Sequence, residues 1–261
     1  MIFTIEGIDA CGKATQAKKL ASVLGAHTFD FPRYQSRTGQ AILGLLTGKW
    51  GIKTSAIEQV FEINVGDIPP EKVAEWIEVV RRGLDVYDVA HTLVPPEKVV
   101  MRVRETERAK TEDETRALVL QSLMTTNRLE VFDMLVEHAR QPEKHLVLDR
   151  YYTSGLVYGQ ADGLPLDYLF DIHKALPPSD LWLFLDIPPE ESRKRRPERR
   201  DEYERRAGFM EKVALGYMEL FRVLIPGKPS GKWVVVDGMG TADEVHERIM
   251  EQVRPFLGGT Q

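Results

Sequence analysis

Glu6-Gly7-Ile8-Asp9-Ala10-Cys11-Gly12-Lys13-Ala14-Thr15 is the stretch that decides the fold. Its G-x-x-x-x-G-K spacing, Gly7 to Lys13, is that of a phosphate-binding turn. The flanks agree with it: Met1–Glu6 is an apolar, partly β-branched run that reads as a buried strand, and Lys13–Val23 reads as a helix opened by the turn. Glycines let the backbone curl until successive amides face one anion. The helix N-terminus adds a favourable field, and the lysine reaches the β- and γ-phosphates of a nucleoside triphosphate. Gly7, Asp9, Ala10, Cys11, Gly12, Lys13, Ala14 and Thr15 are the candidate ATP-binding residues. Position 14 departs from the pattern, because Ala14 stands where a Ser or Thr hydroxyl ordinarily ligates Mg²⁺. Another oxygen must then complete the shell, directly or through water, and Asp9, Asp149, Asp201 and Glu204 are the candidates. The alternative is a turn that binds nucleotide without efficient catalysis. Cys11 contributes its amide to the cradle; a thiolate stabilised by the helix end is the competing reading.

Outward from the turn, other runs have the same character. His27–Phe31 is extended and is closed by Pro32, which cannot donate to a sheet ladder. Leu146–Asp149, Leu181–Asp186 and Trp233–Asp237 are short, apolar and ended by aspartate, with helical patterns between them. This predicts an α/β fold, a parallel five-stranded sheet with helices on both faces, as a single domain over residues 1–261. Ligands of such sheets bind at the carboxyl ends of the strands, where Asp149 falls. From Trp50 to Thr115 the alternation breaks, and the charge-rich, helical pattern predicts an inserted helical subdomain over residues 50–115. Pro-Pro-Glu-Lys-Val occurs at Pro69–Val73 and at Pro95–Val99, and Pro-Pro-Glu at Pro188–Glu190; each reads as a helix start rather than as a repeat array. Gly258–Gln261 reads as a frayed tail.

Composition narrows the function. A hydrophobic content of 43% suffices for a sizeable core, and the single cysteine excludes an internal disulfide, which suits a reducing, cytoplasmic compartment. No apolar run is long enough to span a bilayer, and no signal sequence is evident, so no membrane partner is expected. A net charge of −5 argues against a nucleic acid polymer as partner, since that affinity comes from neutralising many phosphates. Small-molecule nucleotides fit better.

Four motifs in order resemble the thymidylate kinase family of P-loop nucleoside monophosphate kinases. They are Glu6-Gly7-Ile8-Asp9 leading into Gly12-Lys13-Ala14-Thr15-Gln16; Phe31-Pro32-Arg33-Tyr34 followed by Thr38-Gly39; Asn127-Arg128 on a helix with Asp149-Arg150-Tyr151 and Ser154 after a strand; and the arginine-rich Arg193–Arg206, containing Asp201-x-Tyr203-Glu204, followed by Tyr217. The resemblance implies transfer of the γ-phosphoryl group of ATP, with Mg²⁺, to dTMP or a related pyrimidine deoxynucleotide, by a homodimer. It assigns Lys13, Asp149, Arg150, Arg196 and Arg199 to catalysis, with residues 190–206 as a lid that delivers an arginine. Arg33 and Arg150 would grip the acceptor phosphate, bidentate recognition being what a guanidinium does well. Arg128 would reach the base edge or the phosphate, Asp9 the sugar 3′-hydroxyl, and Tyr158 would crowd a 2′-hydroxyl. Ser154 and Met124 complete the acceptor set, Met124 standing where the family has an aromatic that stacks on thymine. The metal would rest on Asp149, Asp201 and Glu204. Two alternatives stay open on these residues: a kinase for a base-modified deoxynucleotide or a deoxynucleoside, and a non-catalytic nucleotide-binding module. The charge run 190–206 is also what a solvated helix with i,i+4 pairs looks like.

Overall fold

The computed structural model describes residues 1–48, 58–64, 89–94, 98–104, 112–141, 143–198, 202–222 and 229–257. The apolar runs form the central sheet: β1 (Ile2–Glu6), β2 (His27–Asp30), β6 (Leu146–Asp149), β7 (Leu181–Asp186) and β8 (Lys232–Asp237). Their order is β2-β6-β1-β7-β8, and every pairing is parallel, as expected. Register brings Asp149 beside Ile5 and Phe184 beside Glu6, so the ends of β6 and β7 flank the turn that follows β1. Phe3, Leu148 and Trp182 are fully buried, as strands covered on both faces should be.

The helices that cover the sheet carry the rest of the site. Helix α1 (Lys13–Leu24) follows the turn, and α2 (Arg37–Leu46) starts at Ser36, whose side chain caps it by accepting from the Gly39 amide at 3.1 Å. Helix α3 (Glu112–Leu129) carries Asn127 and Arg128, and is followed by α4 (Phe132–Arg140). Helix α5 (Tyr152–Ala161) leaves the end of β6, α6 (Leu166–His173) follows it, and α7 (Pro189–Arg195) leaves β7. Short α8 (Glu202–Arg205), α9 (Phe209–Arg222) and C-terminal α10 (Ala242–Leu257) complete the set. Helix α5 packs against α3 and α9, and α1 against α10.

The expectation of a helical subdomain over 50–115 is corrected. Its described residues are strands β3 (Glu58–Asn64), β4 (Val89–Val94) and β5 (Lys98–Arg104), which form an antiparallel sheet in the order β3-β5-β4. In β5 three valines and the alternation Met101-Arg102-Val103-Arg104 have the period of two of a strand, which the density of charge obscured. The Pro95–Val99 copy therefore does not start a helix, since Lys98 and Val99 open β5 with Lys98 opposite Val94. Pro69–Val73 lies outside the described residues. Pro188–Glu190 does start a helix, with a proline at the first turn of α7 and Glu190 and Glu191 in it.

Candidate active site

The turn after β1 has the backbone of an anion cradle. Gly7 (φ 150), Ala10 (φ 55) and Gly12 (φ 100) all take positive φ, and Gly12 caps α1. At Gly7 the reason for glycine is contact as well as conformation: a Cβ there would stand 2.6 Å from Cys11 Sγ and 2.9 Å from the Leu185 carbonyl oxygen. Cys11 is buried beneath the turn. Lys13 is curled into it, its Nζ donating to the Ile8 carbonyl at 2.7 Å and lying 3.6 Å from Cys11 Sγ. Ala14 and Thr15 are exposed on the first turn of α1.

Arg150 connects this cradle to the cavity that expected acceptor residues line. It follows β6 with φ 64, a left-handed conformation unusual for an arginine, and its amide donates to the Ile5 carbonyl at 2.9 Å. Its Nη2 donates to Asp9 Oδ1 at 2.6 Å and its Nη1 to the Gly7 carbonyl at 3.1 Å and Ser154 Oγ at 3.3 Å; the guanidinium lies 5.5 Å from the Tyr158 ring centroid. Burial alone would raise the Asp9 carboxyl, but the charges of Arg150, Lys13 and Arg196 hold it below the usual range. Asp9 is thus an anion pinned between three cations.

Beneath Arg150 lies Glu6, which sequence reasoning quoted in a motif without giving it a task. It is fully buried, and its Oε1 accepts from the Tyr151 amide at 2.8 Å, from Thr153 Oγ1 and from the Ser154 amide at 3.3 Å. Its Oε2 accepts from Ser154 Oγ at 2.6 Å and Tyr217 OH at 2.9 Å. A charged residue closing the apolar run Ile2-Phe3-Thr4-Ile5 was the available signal, because a buried carboxylate must find donors. Ser154 and Tyr217 are parts of this network, and Ser154 also lines the cavity described next.

That cavity is lined by Asp9, Phe31, Arg150, Ser154 and Tyr158 together with Gln121, Met124 and Arg128 from one face of α3. The expected acceptor residues Asp9, Met124, Arg128, Arg150, Ser154 and Tyr158 therefore meet in one place. Arg128 is buried, its Nη1 donating to the Met124 carbonyl and its Nη2 to the Tyr151 carbonyl, each at 2.8 Å. Burial pushes its guanidinium down to about 10, with Glu6 opposing, so it stays charged at neutral pH. Arg33 is not brought into the cavity lining: its Nη1 pairs with Glu130 Oε2 at 3.4 Å. Its neighbour Asn127 does the local structural task, accepting from the Arg33 amide at 2.7 Å and donating to Ser36 Oγ and Thr38 Oγ1 at 2.9 and 2.8 Å. Gln121, which no motif singled out, lines the cavity, as does Tyr203, quoted in the lid motif without a task.

The lid segment divides. Arg195 pairs with Glu191 at 2.9 Å, while Arg193 pairs with Glu190 at 3.2 Å and with Glu211 at 2.6 Å, as on a solvated helix. Arg196 instead lines a second cavity with Asp9, Ser192 and Arg206. Ser192 Oγ donates to the Asp9 carbonyl at 2.7 Å and ties α7 to the phosphate turn. Arg199 and Asp201, and the side chain of Glu204, lie outside the described residues. Of the expected metal ligands only Asp149 can be placed. It ends β6, and burial raises its carboxyl, with Lys13 and Arg150 opposing and Glu6 and Asp30 reinforcing. No group of three or more His, Cys, Asp or Glu side chains poised for a metal is found among the described residues.

A glycine turn on a strand-to-helix junction, joined through Arg150 to an arginine-bearing cavity, has the architecture of a P-loop phosphotransferase. A sequence model of the family "Thymidylate kinase" matches residues 92–249. Similar proteins include a probable thymidylate kinase of Methanosphaera stadtmanae, 27% identical over 189 residues that are 72% of this chain and 90% of that one. Another, from Thermococcus kodakarensis, is 29% identical over 199 residues, 71% of this chain and 90% of that one. The solved thymidylate kinase of Candida albicans shares the fold, with a TM-score of 0.60 and 23% identity over 97% of this chain and 91% of that one. The chain belongs to the thymidylate kinase family, whose members are nucleoside monophosphate kinases. No helix among the described residues is long and apolar enough to cross a membrane.

Proposed function

We propose that this protein transfers the γ-phosphoryl group of ATP to dTMP, giving ADP and dTDP, in a single in-line step. One observation carries the reading: Arg150 lines the acceptor cavity while bonding both Gly7 and Asp9 of the phosphate turn. An acceptor phosphate gripped by Arg150 is thereby brought against the triphosphate. The transferred group carries its charge on three equatorial oxygens, so fixed cations on both sides are what the reaction requires. Lys13 and the turn amides serve the donor side, Arg150 the acceptor phosphate, and Arg196, whose charge already acts on Asp9, the group in flight. A 3′-hydroxyl donates to Asp9, and Tyr158 crowds the sugar face where a ribose would carry a 2′-hydroxyl. Met124 and Arg128 border the base.

Mg²⁺ is part of the proposal, neutralising charge on the donor phosphates when bound. Ala14 offers no ligand, and the Asp149 carboxylate beside Lys13 is the group that would hold the ion through water. A homodimer in the cytoplasm belongs to the same reading. The test is a pair of variants assayed with ATP and dTMP. Lys13→Ala is expected to abolish transfer to every acceptor, whereas Arg150→Ala chiefly weakens use of dTMP, raising its KM at least tenfold with a smaller change for ATP. Equal, small effects from both would overturn the mapping.

A further inference from the structure

Gln121 is a buried polar residue of the cavity to which no task has been assigned. It lies on α3, three and seven residues before Met124 and Arg128, hence on the same helical face. It is 1% exposed, it lines the acceptor cavity, and its Oε1 is buried without a hydrogen-bond partner among the described residues. A buried amide oxygen left in that state is costly, and natural structures keep such groups where something else completes them.

Two glycines let the α5 backbone pass close to the amide with no side chain between them. Gly155 and Gly159 face it from α5: a Cβ at Gly155 would stand 3.3 Å from Gln121 Oε1 and 2.8 Å from two His173 ring atoms, and one at Gly159 3.4 Å from Gln121 Cδ. The Gln121 backbone is secured separately, its carbonyl accepting from Thr125 Oγ1 at 2.9 Å. Two helical turns separate Gln121 from Arg128, but Arg128 Nη1 donates to the Met124 carbonyl, one turn back toward Gln121.

We propose that Gln121 is a specificity-determining residue that reads the imide edge of a 4-oxopyrimidine, its Oε1 accepting the N3–H of the base and its amide nitrogen donating to the adjacent carbonyl. This rests on the acceptor reading given above. The order of groups on cytosine is reversed, with an acceptor at N3 and an amino donor beside it. Arg128 decides between the two. Its terminal nitrogens are held by the Met124 and Tyr151 carbonyls, and its Nε, buried without a partner among the described residues, offers a fixed donor that a base carbonyl can meet and an amino group cannot. With that donor fixed, turning the carboxamide over does not restore a match for cytosine. Methionine at 124 packs on a base face without specifying it, so selectivity falls on the polar edge.

The test uses the full chain with saturating ATP and the acceptors dTMP, dCMP and N3-methyl-dTMP, comparing the wild-type protein with Gln121→Met, a near-isosteric apolar change. The wild type is expected to prefer dTMP over N3-methyl-dTMP and over dCMP by tenfold or more in kcat/KM. Gln121→Met is expected to raise KM for dTMP about tenfold with kcat within about twofold, and to shrink both preferences severalfold or more. Loss of a packing role alone would depress all three acceptors together and leave the ratios standing, which overturns the proposal. So does a wild-type protein that uses N3-methyl-dTMP as well as dTMP, a result that needs no variant to fold. If the wild type phosphorylates no pyrimidine monophosphate, the acceptor reading fails and takes this one with it; turnover of dTMP with unchanged ratios in Gln121→Met sinks the Gln121 assignment alone.

Discussion

Replacing Glu6 tests whether one buried carboxylate holds the phosphate turn and the acceptor segment together. Glu6→Gln keeps the shape and one carbonyl oxygen, which still accepts from the Tyr151 and Ser154 amides and Thr153. The other oxygen becomes an NH₂, so the hydroxyls of Ser154 and Tyr217 must turn round and accept. Losing charge assistance there costs about 1 kcal/mol per bond, or roughly 2 kcal/mol in all. Glu6→Leu strands the two amides outright, at about 1–3 kcal/mol each, and removes a counter-charge that raises both Arg128 and Arg150. We expect roughly 4 kcal/mol or more. In urea, with a slope of roughly 3 kcal/mol/M for a chain of this size, the midpoints fall by about 0.7 M and by about 1.3 M or more. Dichroism and tryptophan fluorescence give those midpoints. If both variants unfold within about 0.2 M of the wild type, with unchanged slope, Glu6 is not the strut described.

The lid and the buried histidine give further tests. Asp162 accepts from Tyr203 OH at 2.8 Å and from Arg206, joining the end of α5 to the segment expected as a lid, whose Tyr203 lines the cavity beside Arg150. Asp162→Asn is expected to raise the KM for dTMP about three- to tenfold while shifting the urea midpoint little, and an unchanged KM would remove Asp162 from lid closure. His173 is buried with its Nδ1–H donating to the Leu169 carbonyl, and burial pushes its imidazole from the usual 6.5 down to about 3. The unfolded chain therefore takes up a proton that the folded one refuses, so stability present above pH 6.5 is lost as pH falls, by about 1.5–2 kcal/mol between pH 6.5 and 5. His173→Gln should flatten that slope in urea midpoints taken across the window, and an equally steep slope in the variant would place the titration elsewhere.

What the sequence disclosed and what it hid divide along physical lines. The strands of the central sheet are continuous apolar runs with aspartate at the end, as strands buried on both faces must be, and the glycine turn carries its own spacing. Strands β3, β4 and β5 lack that signature: polar residues interrupt β3 and β4, and in β5 arginines alternate with apolar residues, as in a short antiparallel sheet. Within the site, Arg150, Arg128 and Tyr158 were legible from motifs, whereas Gln121 was not, and Asn127 stood in a motif without a task. Their importance comes from what α3 faces across the cavity and in the Arg33 loop, contacts made over long sequence separations. Arg33 was read from its motif as an acceptor ligand, and its pairing with Glu130, just past the end of α3, depends on a residue 97 positions away.

The most direct test of the account is phosphorus NMR of the full-length protein with ATP and Mg²⁺, once with dTMP and once with thymidine. The account predicts ADP and dTDP forming in equal amounts from dTMP, and no phosphorylated product from thymidine. Transfer to thymidine but not to dTMP, or bound ATP with no transfer to either, would contradict it.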